Sequence, residues 1–178
     1  MERGVVIRAA GSADDTLLLG LNNAAVPHVN ALTPEQLAWI REAADYARIA
    51  ERDGLPVGFV FAIRNGTPYW SANYAWFGER YDAFLYLDRV VVAAQERRSG
   101  VGRALYDDLM AFVRGRWSRI TLEVNVRPPN PASMVFHESL GFRRVGSRTY
   151  DGSEVAMLEL PIRASSSPSG ASSPTDCP

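Results

Sequence analysis

Six consecutive residues, Arg97-Arg98-Ser99-Gly100-Val101-Gly102, hold the chain's densest concentration of charge and glycine. Glycines let a backbone come close to a ligand, and the free N–H groups of a helix start carry partial positive charge. Placed between a strand and a helix, such a turn can cradle a phosphate or pyrophosphate, with the arginines adding full charge. A dinucleotide fingerprint would need a third glycine where Leu105 stands, and a Walker loop would need a lysine, which the chain lacks altogether. On the residues alone, an ordinary strand–turn–helix with a solvated arginine cluster accounts for the loop equally well. The other candidates stand singly: Asp88, Glu123, and His137, whose residue type titrates near pH 6.5 and can serve as acid or base.

The elements that must position these groups follow from the apolar pattern. The run ending Val90-Val91-Val92 is β-branched and reads as a buried strand, with Tyr86 and Asp88 alternating onto one face. After the turn, Leu105, Leu109, Phe112 and Val113 recur at helical spacing. Upstream, residues 5–8 make a first strand. Ser12 with Asp15 resembles a capped helix start, and Thr33-Pro34-Glu35-Gln36 is a stronger one, with a loop between them at residues 24–32. Residues 48–52 and 57–63 form a hairpin turned at Asp53-Gly54. Residues 69–84 pattern as a loop, yet hold Tyr69, Trp70, Tyr74, Trp76, Phe77, Tyr81 and Phe84, rings that pack a lid, line a pocket or fold into a satellite core. Residues 120–126 alternate as a strand. Asn130-Pro131 opens a helix that Gly141 stops, and residues 142–145 and 155–160 are the last strands, joined through Asp151-Gly152.

Two motifs on these elements carry a family resemblance. Arg97-x-x-Gly100-x-Gly102 resembles motif A of the GNAT superfamily of N-acetyltransferases, Arg/Gln-x-x-Gly-x-Gly/Ala between strand and helix. Asn130-x-x-Ser133-x-x-Phe136-His137-x-x-Leu140-Gly141-Phe142 resembles motif B, with Ser133 for the usual alanine and His137 where many members have tyrosine. The resemblance spans residues 5–160. It implies an α/β (α+β) acyl-CoA N-acyltransferase fold, a mixed twisted sheet flanked by helices in the order β-α-α-β-β-β-α-β-α-β-β. It also implies acetyl-coenzyme A as cofactor. Val90, Val91 and Val92 would pair the pantetheine arm, Arg97, Arg98, Ser99, Gly100, Val101, Gly102 and Arg103 would hold the pyrophosphate, and Asn130 would reach in from the later helix. His137 would replace the tyrosine that gives a proton to the sulfur. The position many members fill with a catalytic glutamate falls nearest Tyr86, so Asp88 or Glu123, acting through water, would stand in as the base, although Asp88-Arg89 could equally be a structural ion pair. The acceptor would lie among Asn23, His28, Tyr69, Asn73, Tyr74, Trp76 and Tyr86, a wall suited to a small or medium amine with an apolar body.

The resulting expectation is transfer of an acetyl group to an amine by direct attack. The alternatives are a sensor domain that binds the cofactor without turnover, or an acetyltransferase acting on a protein or peptide. The 178 residues, 47% hydrophobic, suffice for one domain at 1–163. Residues 164–178, rich in serine and proline, are expected to be a disordered tail. A net charge of −1 points to neither nucleic acid nor membrane as partner, although all 19 basic residues are arginine. With Cys177 as the single cysteine, no disulfide or thiolate metal site forms within the chain, no metal is expected, and a cytoplasmic setting is the default. No signal-peptide pattern or membrane-length apolar run is present. Pairing across last strands in the GNAT superfamily makes a homodimer the expected assembly, if any.

Overall fold

The computed structural model describes residues 4–162, so the expected tail and Cys177 lie outside the described residues. Among those, seven strands form one sheet: β1 (Val6–Ala9), β2 (Tyr46–Arg52), β3 (Leu55–Arg64), β4 (Leu85–Val92), β5 (Arg119–Arg127), β6 (Arg143–Tyr150) and β7 (Ser153–Pro161). Their order across the sheet is β1-β2-β3-β4-β5-β7-β6. Every neighbouring pair is antiparallel except β4 and β5, which run parallel. Five helices cover the two faces: α1 (Asp15–Ala24), α2 (Pro34–Ala43), α3 (Ala72–Gly78), α4 (Val101–Val113) and α5 (Pro131–Ser139). This is the expected mixed, helix-flanked architecture.

Alternation along β3 sorts the core. Val60 and Ala62 join Val101, Leu105, Leu109 and Val113 of α4, whereas Phe59, Phe61 and Ile63 join Leu18 of α1, Leu37 and Ile40 of α2 and Phe77 of α3. Each such buried side chain contributes about 1.5–3 kcal/mol, which is what fastens both helix layers to the sheet. α2 starts as its sequence dictates. Thr33 Oγ1 accepts from Gln36 N at 3.3 Å, Gln36 Oε1 accepts from Thr33 N at 2.9 Å, and Pro34 fills the first turn.

Two local expectations are corrected. The Ser12–Asp15 box does not form; Asp14 accepts from Gly11 N at 2.8 Å and binds Arg8 through both carboxylate oxygens, so α1 begins only after a short 3₁₀ turn. The aromatic stretch read as a loop contains α3, capped by Ser71 Oγ, which accepts from Tyr74 N at 3.3 Å. A seven-residue helix rich in aromatic residues has too little intrinsic propensity to announce itself. Burial of Tyr74 and Phe77 against Phe84 and Tyr86 holds it instead.

The feature that makes room for a site is the failure of β4 and β5 to stay paired. They pair only at Leu85–Ile120 and Tyr86–Thr121, and then diverge. On its other edge β4 carries a bulge: Leu87 opposes Ala62 and Arg89 opposes Phe61, leaving Asp88 as the extra residue. The alternation of Tyr86 and Asp88 expected from sequence is therefore broken, and Tyr86 shares its face with Arg89 and Val91. Among the described residues, no helix is long and apolar enough to cross a membrane.

Gly58 lets β3 lie close to β4, since a Cβ there would sit 2.8 Å from the Val91 carbonyl oxygen and 3.2 Å from Val101. Replacing Gly58 by alanine should cost about 1–3 kcal/mol through overpacking, read as a lower urea midpoint at unchanged slope. An unaltered midpoint would show that the contact has slack.

Candidate functional site

Past their last paired residues, β4 and β5 border a cleft of about 930 Å³. One wall is the edge of β4, including Val90, Val91 and Val92, whose backbone has no partner in β5. At one end stands the start of α4. Gly100 takes a left-handed conformation at φ 87° immediately before the helix, and the first helical bond runs from Ala104 N to Gly100 O at 2.9 Å. The amides of Val101, Gly102 and Arg103 precede that bond and are free to face a ligand. Gly102 fits beneath Phe136 of α5, where a Cβ would lie 3.4 Å from the ring. Arg97, Arg98, Gly100, Gly102 and Arg103 line the cleft; Arg97 and Arg98 make no ion pair among the described residues. Two others of the expected loop turn away. The Ser99 hydroxyl donates to Glu96 O at 2.7 Å, and the Val101 side chain is in the core. Asn130 lines the cleft while capping α5, its Oδ1 accepting from Ser133 N at 3.3 Å.

Glu123 and Asp88 each stand two residues beyond the last β4–β5 pair, on opposite sides of the opening. Glu123 sits on the cleft floor and accepts from Tyr86 OH at 2.7 Å and from Asn73 Nδ2 at 2.9 Å. Loss of solvation outweighs those two bonds and raises its pKa to about 7, with a further push from Asp88 and an opposing pull from Arg89. Burial holds the Tyr86 hydroxyl far above its ordinary value, so it stays a donor. Asp88 is more tightly engaged: one oxygen accepts from Tyr69 OH, the other from Arg89 Nε at 2.6 Å. Arg89 in turn donates to Asn22 Oδ1 at 2.9 Å, tying the bulge to α1.

His137, expected as a proton donor, has both ring nitrogens occupied and is 3% exposed. Its Nδ1 lies 2.7 Å from Ser133 O, which can only accept, so Nδ1 carries the hydrogen and Nε2 accepts from Tyr106 OH at 2.5 Å. Burial pushes its pKa down to about 4, leaving it neutral at physiological pH.

Of the expected acceptor residues, His28, Tyr69 and Asn73 line the cleft. Tyr86 meets it through Glu123. Asn23, Tyr74 and Trp76 do not reach it. Asn23 closes the α1–α2 loop by bonding both backbone groups of Leu32, and Tyr74 OH bonds Arg64 O and Thr67 N. Trp76 packs between Gly146 and Arg80. Sequence reading missed Arg148 and Tyr150, which line the cleft from β6. β6 extends to Tyr150 through polar residues that lack the apolar alternation of a strand, whereas the tight turn at Asp151-Gly152, both with positive φ, is legible in the sequence.

The model of the acetyltransferase (GNAT) family matches residues 20–142. A mycothiol acetyltransferase of Tsukamurella paurometabola is 34% identical over 151 residues, covering 78% of this chain and 48% of that protein. The chain thus spans about half the length of the curated relative it matches. Among solved structures, the ribosomal-protein-S18-alanine N-acetyltransferase of Escherichia coli aligns with a TM-score of 0.71 over 94% of this chain and 100% of that one, at 19% identity. The yncA protein of Salmonella typhimurium, solved with its cofactor acetyl-CoA, gives 0.67 over 94% and 99%, at 20% identity. At these identities the two structures show a shared fold.

The α4 start fits a pyrophosphate: three free amides, glycines that keep the approach open, and two arginines without carboxylate partners among the described residues. Because Arg97 and Arg98 are exposed, Arg97→Gln and Arg98→Gln should each leave stability within about 0.5 kcal/mol. Each should weaken coenzyme A binding by about tenfold or more, measured by calorimetry. Undiminished affinity in the double variant would remove the pyrophosphate from this end of the cleft.

Proposed function

Since the chain belongs to the acetyltransferase (GNAT) family, we propose that it is an acetyl-coenzyme A-dependent N-acetyltransferase whose acceptor amine is deprotonated at Glu123. The observation that carries this is the β4–β5 divergence, which opens an unpaired strand edge running from the anion-binding α4 start to a carboxylate with a pKa of about 7. Bound acetyl-coenzyme A supplies the activated acyl carbon. The chain's residues do the rest. Arg97, Arg98 and the amides of Val101, Gly102 and Arg103 would hold the pyrophosphate, and the edge from Val90 to Val92 would align the extended arm.

Glu123 suits the base role because its pKa lies near neutrality, where a carboxylate can take a proton from an ammonium without being permanently charged. Tyr86 and Asn73 fix its orientation. Asp88, saturated by Tyr69 and Arg89, serves the bulge instead. His137 is a positioning residue: with its hydrogen held by Ser133 and its lone pair by Tyr106, it locks α5 onto α4 at the wall of the cleft. The acceptor is a small or medium amine entering between the α1–α2 loop and β6, where Tyr69 and Trp70 present aromatic surface. Two proteins that this chain resembles, a mycothiol acetyltransferase and a ribosomal-protein-alanine acetyltransferase, take acceptors of different size. The enclosed carboxylate and the aromatic wall favour the smaller class here.

The test is the pH dependence of coenzyme A release. Glu123 must be ionised to accept a proton, so kcat/KM should rise about tenfold per pH unit below pH 7 and level off above it. Glu123→Gln should lower kcat by about 10²–10⁴ at neutral pH and abolish that limb. A flat profile from pH 5.5 to 8 in the wild type would take the base role away from Glu123.

A further inference from the structure

Among the described residues, five arginines line the cleft, and their partners separate them. Arg89 pairs with Asp88 and Arg103 with Asp107. Arg97 and Arg98 stand at the α4 start, where a pyrophosphate would take them. Arg148 is at the opposite side, on β6, and among the described residues it has no carboxylate partner; the nearby β6 arginines do, Arg143 with Glu159 and Arg144 with Glu154. Among the described residues, the one hydrogen bond of the Arg148 guanidinium goes to a neutral amide, from Nη1 to Asn73 Oδ1 at 2.5 Å.

The sheet register aims this cation at the base. Arg148 opposes Val155, and Val155 opposes Asn125, so the three share a face, as does Glu123 two residues before Asn125. Asn73 joins the two charges, its Nδ2 donating to Glu123 and its Oδ1 accepting from Arg148. Guanidinium and carboxylate thus stand one amide apart on the acceptor side of the cleft.

We propose that Arg148 binds an anionic group of the acceptor, and that the acceptor is an amine bearing a carboxylate within a few bonds of its nitrogen, an amino acid or short peptide. This rests on the transferase reading above and names the substrate class of the same site. A guanidinium has five N–H donors in a planar fork, and an edge left free by the Asn73 contact matches a carboxylate through two parallel bonds. With the acceptor's ammonium at Glu123 and its carboxylate at Arg148, both site charges are compensated at once. An amine without the anion leaves Arg148 uncompensated, and a polyamine places like charge beside it. The side chain of such an acceptor would lie along Trp70 and Tyr150, which are 54% and 40% exposed.

The experiment compares L-phenylalanine, glycyl-L-phenylalanine, L-phenylalaninamide and phenethylamine as acceptors for the full chain and for Arg148→Gln and Arg148→Lys. Thiol release and product mass report turnover, and tryptophan fluorescence reports acceptor binding. In the wild type the two carboxylate-bearing acceptors should exceed the amide and the amine by about 10- to 100-fold in kcat/KM. Arg148→Gln should erase that preference by raising KM for the carboxylates while changing the amide and amine little, and Arg148→Lys should restore part of it. A dipeptide turned over in preference to the amino acid would place the anion one residue further along, within the same class. Equal use of all four acceptors, or an equal loss for all four in Arg148→Gln, would overturn the anion role and leave the transferase reading intact. L-Phenylalanine binding that depends on Arg148 without thiol release would keep the anion site and refute turnover. If neither binding nor turnover of a carboxylate-bearing acceptor occurs, the inference fails.

Discussion

The rest of the site depends on two strands that stop pairing. A parallel pair that runs on buries its backbone groups in a ladder; here the ladder ends at Tyr86 and Thr121. Each buried backbone group left without a partner costs about 1–3 kcal/mol, so the divergence persists only because the surroundings enforce it and because water or a ligand can satisfy the edge. Three features hold β4 in place. Gly58 admits it close to β3, the Asp88 bulge increases its local twist, and Arg89, bound by Asp88 and Asn22, moors the bulge to α1. Loss of Asp88 would leave Arg89 buried and uncompensated. Both Asp88 carboxylate oxygens are engaged, one by Arg89 and the other by Tyr69.

The polar groups near the opening divide by solvation. Glu123 faces the cleft, but among the described residues its hydrogen-bond donors, Tyr86 and Asn73, are neutral, so desolvation dominates and its pKa rises. Asp88 meets a full positive charge at 2.6 Å. Identical chemistry at the two positions is thus assigned different work by the neighbours supplied from β4, α3 and the segment before it. His137 is a third case. A histidine on a helix needs two complementary partners once buried, and Ser133 one turn back along α5 and Tyr106 on α4 provide one acceptor and one donor.

The helix start at Gly100 and the cluster of Glu123, Asn73 and Arg148 lie on opposite sides of the same cleft, which gives it a direction. The free amides of the α4 start and arginines that have no ion pair among the described residues line one end, and Glu123, Asn73 and Arg148 line the other. The aromatic residues between residues 69 and 86 divide between the two purposes. Tyr74 and Phe77 are packing for α3, whereas Tyr69 and Trp70 stay at the cleft and Trp39 of α2 packs against both, at 5.8 and 4.6 Å between ring centroids.

What the sequence determined by itself was local or contiguous. The arginine–glycine turn, the Thr33–Gln36 cap, the alternation of β3 and the Asn130-to-Phe142 motif each depend on residues a few positions apart, where backbone geometry translates spacing directly into structure. Those features sufficed for the fold and for the glycine–arginine turn at the start of α4. What only the tertiary structure decided involved partners distant in the chain. The bulge at Asp88 is set by β3, the helical state of residues 72–78 by burial against β4, and the neutrality of His137 by its burial in the folded chain. The hydrogen bonds that hold Glu123 and the meeting of Arg148 with Asn73 likewise join groups 37 to 75 positions apart. Solvation and ion pairing depend on which groups the folded chain brings within a few ångströms, and no local pattern of residue types encodes that.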